Sequence, residues 1–341
     1  MSLDLALDDA EQAIADAIAK FCAERCPEAV VRETAGALPR SLWRELAELG
    51  VLALATPEGD GGARELCAAL ESLGAAVFPG PLAATFLATQ VLDEKERVRV
   101  AQGEWVVSLG TPPLLPFAPV ADCFLALAGS ELRRAHPRGA IEPVETLGGE
   151  PWGRVEVELG APLAADARAW ALHDLVLAAY AAAAGGALVL ATAAHARTRQ
   201  QFGRAIGEFQ AVAHPLADAR VRLDAAATLA RIAAHAWDTD AADLRARAAA
   251  ARLSATRAAL DAAHTCHQLF GAQGITLEGP VFHVSRRIRQ LASQPPPADA
   301  PREALLHHWD ASFAQRAQVS RSEPKASEGH KVGERSRSEG T

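Results

Sequence analysis

The chain has 341 residues, 50% hydrophobic and 22% charged, a balance that excludes general disorder and allows two or three packed units. Its formal charge of −8 comes without a concentrated basic face, which argues against a nucleic-acid partner, because counterion release needs clustered Lys and Arg. The opening MSLDLALDDAEQAIADAIAKF carries acids and no basic stretch ahead of its apolar positions, so it does not read as a secretory signal and a cytoplasmic location is expected.

From Leu3 to Leu92 apolar positions recur at three and four, as at Leu42, Leu46 and Leu49, with breaks at Pro27, Pro39, TPEGDGG and FPGP. That spacing predicts an all-helical first unit over residues 1–102. Between Glu104 and Leu163 the pattern changes to short β-rich runs, WVVSLGT, DCFLALAG and WGRVEVELG, separated by proline and glycine. They predict a small middle β unit over 103–163, with Val155, Val157 and Leu159 on the buried side of one strand. From Ala164 helices return: Trp170 to about Arg199, Phe209 to about Trp237 and Ala241 to about Phe270, each long enough for one member of an antiparallel bundle spanning 164–319. Residues 320–341 hold one aliphatic side chain, Val332, among serines and charges, and are expected to be a disordered tail. The fold class is therefore mainly α with a small central β unit.

Leu175 to Ala194 runs without a charge over a length that nominally crosses a bilayer. Half of it is alanine, Gly185 and Gly186 add no side chain, and His173 and Asp174 stand at its entrance. A tightly packed core helix is expected rather than a membrane span. Cys22, Cys26, Cys67, Cys123 and Cys266 are too scattered for a disulfide framework and are expected as reduced core thiols. Cys22 and Cys26 lack further zinc ligands at helpful spacing, and His264 and His267 around Cys266 fit a packed interior face, so no metal site is expected.

The stretch RTRQQFGRAIGEFQAVAHPLADAR, residues 197–220, is chemically unlike the alanine-rich helices on either side. Arg199 offers a planar fork suited to a diphosphate, Gly203 and Gly207 let the backbone bend or approach a ligand, and Phe202 offers a face to a ring. A plain interhelical turn with solvated arginines fits the same spacing.

Arg199-Gln-Gln-Phe-Gly203, Ile206, Phe209-Gln210 and Leu216-Ala217-Asp218 resemble the corresponding turn and helix of the acyl-CoA dehydrogenase family. Gln268-Leu-Phe-Gly271-Ala-Gln-Gly274, followed by Glu278 and Pro280, is similar to that family's second motif, with Ala272 in place of a glycine. LGVLALATPEGDGG resembles the family's N-terminal loop, and helix, β, helix is its domain order. The resemblance implies a helical N-terminal domain, a reduced β-barrel domain and a C-terminal four-helix bundle. It implies FAD as cofactor, held by Arg199, Gln201, Phe202, Gln210, Gln268 and Gly271 across a subunit interface. It implies an acyl thioester substrate, an electron-transfer acceptor, and a homo- or hetero-oligomer with a related chain. RRIRQL and the short length are closest to small subunits that pair with a second chain in steroid side-chain degradation.

The reaction of that family needs a base for the proton α to the thioester carbonyl. Where many members carry it after the second motif, this chain reads LASQPPPADAP, without a glutamate and with three prolines that forbid a helical turn. Where others carry it at the start of the first bundle helix, this chain reads Leu172-His173-Asp174-Leu175. His173 and Asp174 are thus the candidate catalytic residues, and the alternative is that Asp174 merely favours its helix N-terminus. Three readings follow: an FAD-dependent acyl thioester dehydrogenase, a catalytically incomplete partner subunit that supplies part of a FAD site, or a fold relative without flavin. Neither acyl chain length nor ring size is legible, because apolar pocket walls carry no sequence register.

Overall fold

The computed structural model describes residues 5–27, 30, 32, 37–297 and 299–322. The first helices are α1 (Asp9–Arg25), α2 (Arg40–Glu48), α3 (Ala63–Ala75), α4 (Leu82–Val91) and α5 (Glu94–Ala101). Asp8 starts α1 by accepting from the Glu11 amide at 2.9 Å, while the Glu11 carboxylate accepts from the Asp8 amide at 3.0 Å. This reciprocal cap satisfies two amides that the helix itself leaves unpaired. Buried Trp43, Leu46, Leu66, Leu70 and Leu73 carry the core of this unit.

The middle unit is one sheet of β1 (Val107–Gly110), β2 (Leu114–Pro116), β3 (Cys123–Ala128), β4 (Glu131–Val144) and β5 (Trp152–Pro162). The strand order is β1-β3-β4-β5-β2, with β1 and β3 parallel and the other pairs antiparallel. The two edge strands meet, since Ser108 Oγ donates to the Pro116 carbonyl at 2.6 Å and Thr111 bridges Leu114. The sheet therefore curls toward a small barrel rather than staying open. Strand β4 is absent from the sequence expectation for a physical reason. Only Leu132 and Ala135 of its fourteen residues are buried, and two register shifts interrupt its pairing with β5, so it shows little of the alternation that marks a half-buried strand.

The third unit is α6 (Ala167–Thr198), α7 (Gln210–Asp238), α8 (Leu244–Phe270), α9 (Pro280–Ala292) and α10 (Asp299–Ser322). Helices α6 to α8 follow the expected spans to within a few residues. Helix α6 is long and apolar enough to cross a membrane, but 72% of its most apolar window is buried inside the fold. It is the central helix, packed against α3, α4, α7, α8 and α9. Its small side chains permit that crowding: a Cβ on Gly74 of α3 would lie 2.4 Å from the Tyr180 carbonyl oxygen on α6. Of the segment expected to be disordered, residues 320–322 complete α10 and the remainder lies outside the described residues.

All five cysteines are buried and unpaired. Burial pushes the thiols of Cys22 and Cys26 up, to about 12 and about 11, so they are inert at neutral pH. Cys266 is interior as expected, whereas His264 is exposed and His267 is half-buried, 2.7 Å from Ser285 Oγ.

Candidate functional site

Helix α6 stops at Thr198, and Arg199 turns into extended backbone with its amide donating to the His195 carbonyl at 2.9 Å. Gln200-Gln201 then pairs with Arg204-Ala205 as a two-residue-loop hairpin. Its turn residues, Phe202 and Gly203, both have positive φ, 52° and 80°. A tight hairpin that matches strand twist requires this of both central residues, and only the glycine adopts it freely. The strained Phe202 is 93% exposed. Below it, Phe209 meets the Phe202 ring edge-on and carries the Arg204 guanidinium over its face at 4.0 Å.

The second motif arrives at the same end of the bundle. Helix α8 terminates at Phe270, and Gly271 follows at φ 59°, ψ −133°, a region open to glycine alone. The His195 ring of α6 stacks on the Phe270 ring of α8 at 4.3 Å and 13°, which holds Arg199 and Gln268 on neighbouring helix ends. Gln201, Gln210, Gln268 and Gly271 are exposed. Arg199 makes no ion pair among the described residues. Helix α7 begins beside it at Gln210 without a side-chain cap, leaving amide donors and the positive end of the helix dipole open to an anion. The fold thus brings all six expected cofactor residues to one exposed end.

His173 and Asp174 lie elsewhere, in the second turn of α6, and are 1% and 0% exposed. The Asp174 carboxylate is ion-paired with Arg245 and, at 2.8 Å, with Arg252, both from α8. Burial alone would raise its pKa. The hydrogen bond from His173 and the charges of Arg252 and Arg245 overcome that and hold it well below the usual carboxylate range. His173 is pushed down by burial, against the pull of Asp174 at 3.4 Å, and is neutral. Asp174 is too far into the helix to act on its N-terminus, which Asp166 caps instead by accepting from the Ala169 amide. Arg252 also donates to the carbonyls of Gln294 and Pro296, at 2.9 and 2.8 Å, tying the proline-rich strap between α9 and α10 to the same cluster. Beside Trp170 and Arg245 a cleft of about 530 Å³ opens toward Thr111, Leu127 and Ser130 of the β unit.

A further buried pair was not legible in the sequence. Glu150, on the loop between β4 and β5, is ion-paired with Arg287 of α9, and both are buried. Gln294 donates to the other carboxylate oxygen at 2.9 Å, and the Gly148 amide donates to the Gln290 side chain at 3.0 Å. Burial pushes the Glu150 carboxyl up, against the charge of Arg287. The available signal was the polar stripe His283, Arg287 and Gln290 at helical spacing on α9, with Gln294 just beyond its end. Cavities of only about 20 and 40 Å³ flank this pair, room for one or a few waters. The exposed bundle end therefore fits the adenosine diphosphate of a dinucleotide, while the crevice behind Glu150 does not admit a three-ring system as it stands.

The acyl-CoA dehydrogenase C-terminal domain matches residues 172–293 and the N-terminal domain matches residues 8–94. The chain is 31% identical to acyl-CoA dehydrogenase IpdE2 of Mycobacterium tuberculosis over 314 residues, covering 86% of this chain and 94% of that protein. Its fold is similar to that of a Tcur3481-Tcur3483 steroid ACAD, at TM-score 0.77, 22% identity and coverage of 89% and 98%. It is also similar to a chain of the ChsE4-ChsE5 complex from Mycobacterium tuberculosis, at TM-score 0.72, 23% identity and coverage of 95% and 100%. With its domain order and both bundle motifs in place, the chain belongs to the acyl-CoA dehydrogenase family of FAD-dependent oxidoreductases.

Proposed function

We propose that this chain is the cofactor-holding subunit of a heteromeric acyl-CoA dehydrogenase, and that a related chain supplies the base for α,β-dehydrogenation of an acyl thioester. The observation that carries the reading is the Asp174 cluster. A general base must meet its proton within hydrogen-bond reach and release its own lone pair to do so. Asp174 is fully buried with both oxygens engaged by arginines, and His173 is buried beside it. Asp174 fastens α6 to α8, and His173 packs beside it against Trp170.

Bound FAD supplies the hydride acceptor. Arg199 and the open start of α7 would hold its diphosphate, and Gln201, Phe202, Gln210, Gln268 and Gly271 would hold the adenosine side. Phe202, Ile275 and Leu277, 93%, 73% and 63% exposed, are covered by the related chain, which a monomer would leave in water. The two-component names of the steroid ACAD and of the ChsE4-ChsE5 complex support such pairing. The complex works in the cytoplasm and passes electrons to an electron-transfer acceptor.

Replacing Arg199 with alanine is expected to weaken FAD retention about tenfold or more, because charge-assisted bonds to a diphosphate are worth about 1.5–3 kcal/mol each. Flavin absorbance after gel filtration of the complex reads this, and equal retention by the variant removes Arg199 from the site. Light scattering is expected to show assembly with a related chain, and a stable monomer in its presence counts against the reading. The deciding assay is anaerobic bleaching of flavin by a panel of acyl thioesters. Bleaching by the complex and not by this chain alone is expected. Rapid bleaching by this chain alone would favour the alternative, a dehydrogenase with its own base.

A further inference from the structure

Arg286 and Arg287 are neighbours on α9, and both line the cavity of about 40 Å³ that Val77, Pro79, Phe117 and residues 148–151 enclose. Among the described residues, the one carboxylate on its wall is that of Glu150. It is committed already, to Nη1 of Arg287 and to Gln294, which donates to its other oxygen at 2.9 Å.

Arg286 has no ion pair or hydrogen bond among the described residues. Its guanidinium lies 5.3 Å from the centre of the Phe282 ring and against Gly149, where an added Cβ would stand 3.0 Å from Nη2. Burial pulls its pKa down, and no carboxylate pulls it back. Arg287 is buried and poorly satisfied: Nη2 has only long contacts to the carbonyls of Phe78 and Gly80, at 3.4 and 3.3 Å, and Nε has no partner among the described residues. A buried donor without an acceptor is unfavourable. His283, the other titratable group on the wall, has Nε2 2.9 Å from the Leu277 carbonyl, so it donates there and brings the cavity no negative charge.

Two guanidinium groups against one carboxylate leave an excess positive charge beside an orphaned donor. A water molecule would satisfy the donor but not the charge. The space decides the size of what can satisfy both: about 40 Å³ admits one ion little larger than a water, and excludes an organic acid with a body.

We propose that this cavity is a small-anion site, in which a chloride ion accepts from the Arg286 guanidinium and from Nε of Arg287 and balances the charge that Glu150 leaves over. The ion ties the loop between β4 and β5 to α9, so the joint between the β unit and the bundle depends on chloride. The site needs neither flavin nor a related chain, and its failure leaves the subunit reading untouched.

The test is urea unfolding of the full chain as sodium chloride replaces sodium gluconate at fixed ionic strength, which holds screening constant while gluconate is too large to enter. The midpoint of wild type is expected to rise with chloride, because an ion that binds only the folded state stabilises it. Arg286→Gln, a change at a half-buried position, is expected to weaken chloride about tenfold or more and to flatten that rise. Glu150→Gln removes the competing negative charge and is expected to tighten chloride about tenfold. Crystals grown in bromide are expected to show an anomalous peak between the two arginines. A chloride effect that survives Arg286→Gln undiminished overturns the proposal, as does a cavity that holds only water in bromide. A bromide peak without any chloride dependence in solution overturns it too, since the ion then binds at crystal concentration only.

Discussion

Asp174→Asn is expected to destabilise the fold by about 3–5 kcal/mol, the usual loss when one partner of a buried ion pair is removed. The reason lies with the arginines left behind. Arg245 retains 21% side-chain exposure and borders the large cleft, so it can turn to water, whereas Arg252 retains 5% and cannot. An uncompensated buried guanidinium then also loosens the strap it holds through Gln294 and Pro296. Urea unfolding measures the loss, and the double change with Arg252→Met should recover much of it. A loss below about 1 kcal/mol, the scale of an exposed pair, would mean that the carboxylate is not locked and would return Asp174 to candidacy as a base.

The pH dependence has a definite sign. The folded-state pKa of Asp174 is depressed, so its contribution is complete above the ordinary carboxylate range of about 3.9 and is lost as pH falls from there toward the depressed value. His173 is also depressed, by burial. The unfolded chain therefore takes up its proton first, and stability falls as pH drops below about 6.5. Acid weakens the fold through both residues, and His173→Gln should flatten the upper part of that decline.

The second large effect concerns the chemistry. In the flavin-loaded complex, His173→Gln should leave the rate of bleaching by an acyl thioester essentially unchanged, because its ring faces Trp170 and Asp174 and serves packing. Removing the base of the related chain should slow the same step by about 10² to 10⁴, the range for loss of a positioned general base. A loss of that size from His173→Gln, in a variant that melts like wild type, would place the base in this chain.

Much of the architecture was legible because it is written in local pattern. The bundle helices follow from apolar spacing, and the segment from Arg199 through Gln210 stands out by its unlikeness to the alanine-rich helices on either side. Strand β4 was not legible, because most of its pairing lies beyond the core and its side chains carry no alternation. Residues 320–322 continue α10, although their composition reads as tail.

The site divides in the same way. Motif alone pointed to the family and to the residues proposed for a dinucleotide, since each depends on neighbours in the chain. That Arg199 and Gln268 share one end of the bundle required the His195–Phe270 stack, across 75 positions of sequence. That Asp174 is a clamp rather than a free carboxylate was decided by Arg245 and Arg252, more than 70 residues away. Glu150 and Arg287 are 137 residues apart, and neither signals the other. A buried charge takes its meaning from the partner that keeps it ionised, and the long-range packing of helices chooses that partner.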